Sequence, residues 1–135
     1  MNETAQPNMG EAVSLTLTME GGAMSPRTRS LTDIWAFNGQ SGLNDTPFHR
    51  FERSQTARIS LVNDTRFPHG IHLHGHHYYE VTENGELGAF RDTSLVNPGE
   101  TQEIVCVFDN PGNWLLHCHM LGHQAAGMKT WVEVA

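Results

Sequence analysis

Basic residues are scarce in this chain: eight lysines and arginines stand against fifteen aspartates and glutamates, a formal net charge of −7. With no basic stripe to neutralise phosphates, a nucleic-acid partner is not expected. Apolar residues never run to the ~20 consecutive positions that a membrane-spanning helix needs, so no membrane partner is expected either. No signal-peptide pattern opens the sequence, and positions 1–10 are polar, reading as a linker or chain end and not as a targeting segment. Long amphipathic helical periodicity, internal repeats and low-complexity tracts are all lacking. Cysteine is rare too, with two in 135 residues, a length that can bury a core without disulfide help. Cys106 sits in the apolar, β-rich run Ile104-Val105-Cys106-Val107-Phe108 and reads as a core filler. Cys118 stands between histidines, and that context argues for a metal ligand over a bridge to Cys106. Cysteine usage therefore does not fix the compartment.

What the chain does have is alternation. Val13, Leu15, Leu17 and Met19 interleave with Ser14, Thr16 and Thr18, giving a strand with one apolar face. Further extended candidates are 34–37, 48–51, 57–63, 71–82, 101–108, 113–117 and 129–134. They are separated by the turn signals Gly21-Gly22, Asn38-Gly39, Asn84-Gly85, Pro98-Gly99 and Asn110-Pro111-Gly112. About seven or eight short strands at turn-punctuated spacing predict an all-β, Greek-key β-sandwich. The expected organisation is one domain overall, with positions 1–30 a polar segment plus the first strand and 31–135 the body.

Histidine is concentrated. Eight of the nine lie in 69–77 and 117–123. The stretch His117-Cys118-His119-Met120-Leu121-Gly122-His123-Gln124-Ala125-Ala126-Gly127-Met128 spaces a cysteine, a histidine and a methionine as Cys-x4-His-x4-Met. That set can wrap one copper ion, with thiolate and imidazole equatorial and thioether weakly axial; a further imidazole must come from the upstream stretch. In an extended chain Cys118 points one way and His117 and His119 the other, while His72 and His74 share a face. Two His-x-His pairs can then converge as a second, all-imidazole site, which also suits copper.

His69-Gly70-Ile71-His72-Leu73-His74-Gly75-His76 and His117-Cys118-His119-x3-His123-x4-Met128 resemble two of the copper-binding signatures of multicopper oxidases, a group that includes laccases and copper-resistance oxidases. The resemblance is to the C-terminal cupredoxin domain and covers roughly Leu31 to Ala135. Gly70 departs from the pattern, since many members have proline there, but that position is not a ligand. The resemblance implies a cupredoxin-like fold and copper as cofactor. It implies that His69, Cys118, His123 and Met128 hold a type 1 (blue) copper. It assigns His72 to a type 2 copper, and His74, His117 and His119 to a type 3 pair, at an interface. Cys118 with its flanking His117 and His119 is then the electron path from a reducing substrate or redox protein toward the cluster that reduces dioxygen to water. Met128, in place of leucine or phenylalanine, is expected to lower the blue-site potential. The last loop carries Gly122 and Gln124 where some members have an acidic residue, so protons must come from elsewhere. Family members of this kind work outside the cytoplasm, an extracytoplasmic expectation for a chain with no targeting segment of its own.

The resemblance implies a cluster of about eight histidines, twice the set His72, His74, His117 and His119, the rest coming from another domain. His49, His76 and His77 do not make up the second set. His76 continues the His72/His74 face and reads as a structural residue that hydrogen-bonds a ligand or the backbone, His77 as a packing or surface residue, and His49 as an exposed one. Three functions follow. The chain is an electron-transfer domain with half a cluster; or it completes a laccase-like oxidase by self-association or with a partner domain; or it is a copper storage or delivery protein. As a single domain it lacks a complete oxygen-reducing site.

Overall fold

The computed structural model describes residues 7, 9–21, 35–38, 46–118 and 129–135. After a short 3-10 turn at Met9–Glu11, these residues form eleven strands: β1 Val13–Gly21, β2 Trp35–Phe37, β3 His49–Phe51, β4 Gln55–Asn63, β5 His69–Leu73, β6 Tyr78–Val81, β7 Leu87–Arg91, β8 Thr93–Val96, β9 Thr101–Phe108, β10 Gly112–Cys118 and β11 Lys129–Val134. They make a six-stranded sheet ordered β2-β1-β4-β9-β6-β7 and a five-stranded sheet ordered β3-β11-β10-β5-β8. The pairs β1/β4 and β11/β3 are parallel and the other pairings antiparallel. This is the all-β sandwich that the alternation predicts and the cupredoxin-like fold that the resemblance implies.

The inner faces supply the core. Leu17 and Met19 of β1, Ile59 and Leu61 of β4, and Ile104 and Phe108 of β9 meet Ile71 and Leu73 of β5, Leu116 and Cys118 of β10, and Val132 and Val134 of β11. Phe51 and Phe108 stack with centroids 3.9 Å apart, tying an edge strand of one sheet to the middle of the other. The strand at 13–21 is part of this frame, pairing with β4 along seven positions from Val13↔Ala57 to Met19↔Asn63.

Eleven strands exceed the expected seven or eight, for two reasons. The extended candidate at 71–82 is two strands, β5 and β6, which belong to different sheets. Between them Gly75 adopts φ +77, a left-handed conformation that carries the chain from one sheet to the other. A Cβ on Gly75 would lie 2.5 Å from the Trp114 ring, so the turn needs glycine on two counts. The other reason is β7 and β8. β7 is mostly exposed and shows no in–out alternation, and β8 has only four residues.

Candidate metal centre

Register brings the two histidine-rich stretches together. β5 and β10 pair antiparallel, with Leu116 opposite Leu73, His117 opposite His72, and Cys118 opposite Ile71. Directly opposed residues share a face of the sheet. Cys118 therefore faces inward with Ile71, and the next inward residue along β5 is His69. Both side chains are fully buried, at 0% exposure, and His69 Nδ1 lies 3.7 Å from Cys118 Sγ. His69 Nε2 lies 2.9 Å from the Thr65 hydroxyl.

On the outer face of the same two strands, three imidazoles gather. Ring centroids are 4.8 Å apart for His72 and His74, 5.0 Å for His74 and His117, and 5.6 Å for His72 and His117. His74 stays in line because its backbone N–H donates to Leu115 O at 2.9 Å, extending the ladder one residue beyond β5. His74 Nε2 and His117 Nε2 are 2.9 Å apart, so one of them carries a proton when no metal is bound. His117 Nδ1 donates to the Cys118 carbonyl at 2.9 Å, which makes the His117 Nε2 the acceptor and the His74 Nε2 the donor.

His72 is oriented by β8. Register places Thr93 opposite it, with Thr93 Oγ1 2.9 Å and the Asp92 carbonyl 3.0 Å from His72 Nδ1. The carbonyl can only accept, so Nδ1 carries the proton and Nε2 presents its lone pair. The Asp92 carboxylate stands 4.0 Å from the same nitrogen and accepts from the Thr93 hydroxyl at 3.1 Å. Nothing in the sequence around Asp92 and Thr93 marks them as partners of His72. Their partnership with His72 comes from the β5/β8 pairing, which has no local signature.

His76 does not continue the His72/His74 face, because the Gly75 turn intervenes. It is buried against Phe108 and Trp114, with centroids 5.0 and 5.9 Å away. Its Nε2 accepts from Asn110 N at 3.3 Å, and its Nδ1 lies 3.4 Å from the His74 carbonyl. Asn110 Nδ2 also donates to Gly75 O at 3.1 Å, and Trp114 Nε1 to Asn110 O at 2.9 Å, so His76 braces the turn after His74. Burial pushes the His76 pKa below its ordinary value, which favours the neutral ring this bracing requires. His77 is exposed and stacks on Phe90, and His49 packs on Phe51. Both cysteines are buried and neither is in a disulfide, and burial pushes the Cys106 thiol pKa up, as befits a core filler.

His119, His123 and Met128, with Gly122 and Gln124, lie outside the described residues. Among the described residues, no three His, Cys, Asp or Glu side chains are grouped so as to hold one ion. The donors that are described nonetheless suit copper: a buried imidazole and thiol side by side, and a separate imidazole cluster in which His72 and His117 are anchored through Nδ1, leaving Nε2 as the ligating nitrogen.

Sandwich and donor set together define a cupredoxin-like copper domain. The family model for multicopper oxidases matches residues 8–135, and the chain belongs to that family. It is 40% identical over 99 residues to multicopper oxidase MmcO of Mycobacterium tuberculosis, covering 73% of this chain and 19% of that protein. It is 36% identical over 100 residues to copper resistance protein A of Escherichia coli, covering 74% of this chain and 16% of that protein. The crystal structure of Lac15 from a marine microbial metagenome matches 98% of this chain and 29% of its own, at 59% identity and a TM-score of 0.74. The chain thus spans under a fifth of these curated relatives and under a third of that solved chain. Copper is the cofactor of this domain.

Proposed function

We propose that this chain is the type 1 copper electron-transfer domain of a laccase-like multicopper oxidase, corresponding to the family's C-terminal cupredoxin domain. In this reading positions 31–135, together with the first strand in 1–30, act as one domain. The observation that carries the proposal is the back-to-back arrangement on β5 and β10: His69 and Cys118 meet inside, and His72, His74 and His117 gather outside. His69, Cys118, His123 and Met128 would hold the blue copper. His72, His74, His117 and His119 would supply half of a type 2/type 3 cluster. Bound there, copper supplies one-electron transfer at the inner site and oxygen reduction at the completed cluster.

The protein's own part is connection and insulation. Cys118 and His117 are adjacent in sequence, so one peptide unit joins the two faces, and the His117 Nδ1–H to Cys118 O hydrogen bond adds a second link. Ile71, Leu73, Leu116 and Val132 keep water from the inner pair. The electron donor is a small reducing substrate or a redox protein, and the working location is extracytoplasmic, in keeping with the family resemblance.

A second reading extends the first. His72 and His74 are only half-buried, so the imidazole face is open to a complement. Another cupredoxin domain, or a second copy of this chain, would complete the cluster and yield an oxidase reducing dioxygen to water. Copper content, optical and EPR spectra and solution mass of the copper-loaded chain test both. One copper per chain, an intense thiolate-to-copper band and a monomer mass support the electron-transfer domain alone. Additional copper with a type 2 EPR signal in an oligomer supports the assembled oxidase. Weakly held, colourless copper overturns both in favour of storage or delivery.

A further inference from the structure

The segment 63–69, between β4 and β5, carries a hydrogen-bond chain whose direction can be worked out from its far end. Asn63, 1% exposed, closes β4. Its Nδ2 donates to the carbonyls of Phe67 at 2.7 Å and Val96 at 2.9 Å, which fixes the amide and turns Oδ1 toward Thr65. Oδ1 accepts the Thr65 backbone N–H at 3.0 Å and lies 2.6 Å from Thr65 Oγ1. The Phe67 carbonyl lies 3.0 Å from the same hydroxyl. Both oxygens can only accept, so the one hydroxyl proton is committed to one of them. Phe67 N donates to Oγ1 at 3.2 Å. The remaining neighbour, His69 Nε2 at 2.9 Å, then meets a hydroxyl that can only accept. Nε2 must carry hydrogen, and in a neutral ring that leaves the lone pair on Nδ1, the atom 3.7 Å from Cys118 Sγ.

We propose that Thr65, backed by Asn63, is a positioning residue for the inner metal site, locking His69 in the Nε2–H tautomer so that Nδ1 faces the ion beside Cys118. The inference rests on the reading of His69 and Cys118 as ligands. Which imidazole nitrogen binds a metal is set by the bond the other makes. A hydroxyl tied to a buried amide also stops the ring from flipping.

The test compares Thr65→Val, which keeps the shape but removes the hydroxyl, with Thr65→Ser, which restores it. Copper affinity of the full chain is measured by chelator competition, alongside the thiolate-to-copper band and the thermal unfolding of the copper-free protein. A folded Thr65→Val should lose about 10–100-fold in affinity and shift the band, while Thr65→Ser stays near wild type. Wild-type affinity and band in a folded Thr65→Val overturn the proposal. If Thr65→Val does not fold, the wild-type tautomer decides. NMR of the copper-free chain with 15N-labelled imidazoles should show protonated Nε2 and bare Nδ1 for the resonance lost in His69→Gln, and the reverse pattern overturns the proposal. Cys118→Ser separates the two levels. A band that survives it sinks the ligand reading, and the role of Thr65 with it. A band lost in Cys118→Ser but unmoved in Thr65→Val sinks the role of Thr65 alone.

Discussion

His69 and His72 are three residues apart on one strand, yet they occupy opposite environments. His69 is sealed inside, its ring held between Thr65 and Cys118 and its strand walled by aliphatic side chains. His72 stands on the outer face beside His74 and His117, with 21% of its side chain open and an acidic residue at its back. The inner pair, on the proposed reading, belongs to a site whose geometry must change little during electron transfer, and burial on both strands keeps it in place. The outer trio, on the proposed reading, is half of an interface, with His72 and His117 anchored through Nδ1. One strand pair does both jobs because successive residues alternate faces.

Breaking the inner site should have the largest effect. Cys118→Ser is expected to abolish the intense thiolate-to-copper band entirely while copper on the imidazole face remains, as measured by optical spectra and metal content. The converse change, His117→Ala, should leave the blue band in place and remove copper from the outer face, read by metal content and the type 2 EPR signal. Both faces depend on the turn after His74. Gly75→Ala should cost about 3 kcal/mol of stability in denaturant unfolding, combining a left-handed backbone with a clash against Trp114. Sharpening the outer face alone, Thr93→Val removes a hydroxyl from His72 Nδ1 and should weaken outer-face copper by about tenfold without moving the blue band. The smallest effect belongs to a pair that touches neither site. Arg50→Ala breaks an exposed ion pair with Glu133 and should change stability by no more than ~0.5 kcal/mol.

The division between faces was legible in the sequence, because period-2 alternation around Cys118 and along His72-Leu73-His74 needs no tertiary information. The sandwich was legible for the same reason in β1 and β4, and in β9 from its unbroken apolar, β-rich run. Alternation failed at Gly75, where a turn inside a histidine-rich run swaps sheets, and on β7, whose residues are nearly all exposed and show no apolar face. The anchors of the rings were not legible either. Thr65 follows the end of β4 and Asp92 precedes β8, and neither position carries a local signal of anchoring a histidine. Their roles arise from a buried amide at Asn63 and from the β5/β8 register, both products of long-range pairing.

The central claim is that Cys118 and an imidazole partner bind one copper inside the sandwich. Copper K-edge X-ray absorption on the copper-loaded chain tests it most directly. The account predicts a single sulfur at short, thiolate-type distance together with imidazole nitrogens, and loss of that sulfur in Cys118→Ser. A copper shell of nitrogen and oxygen only, unchanged by Cys118→Ser, would contradict it.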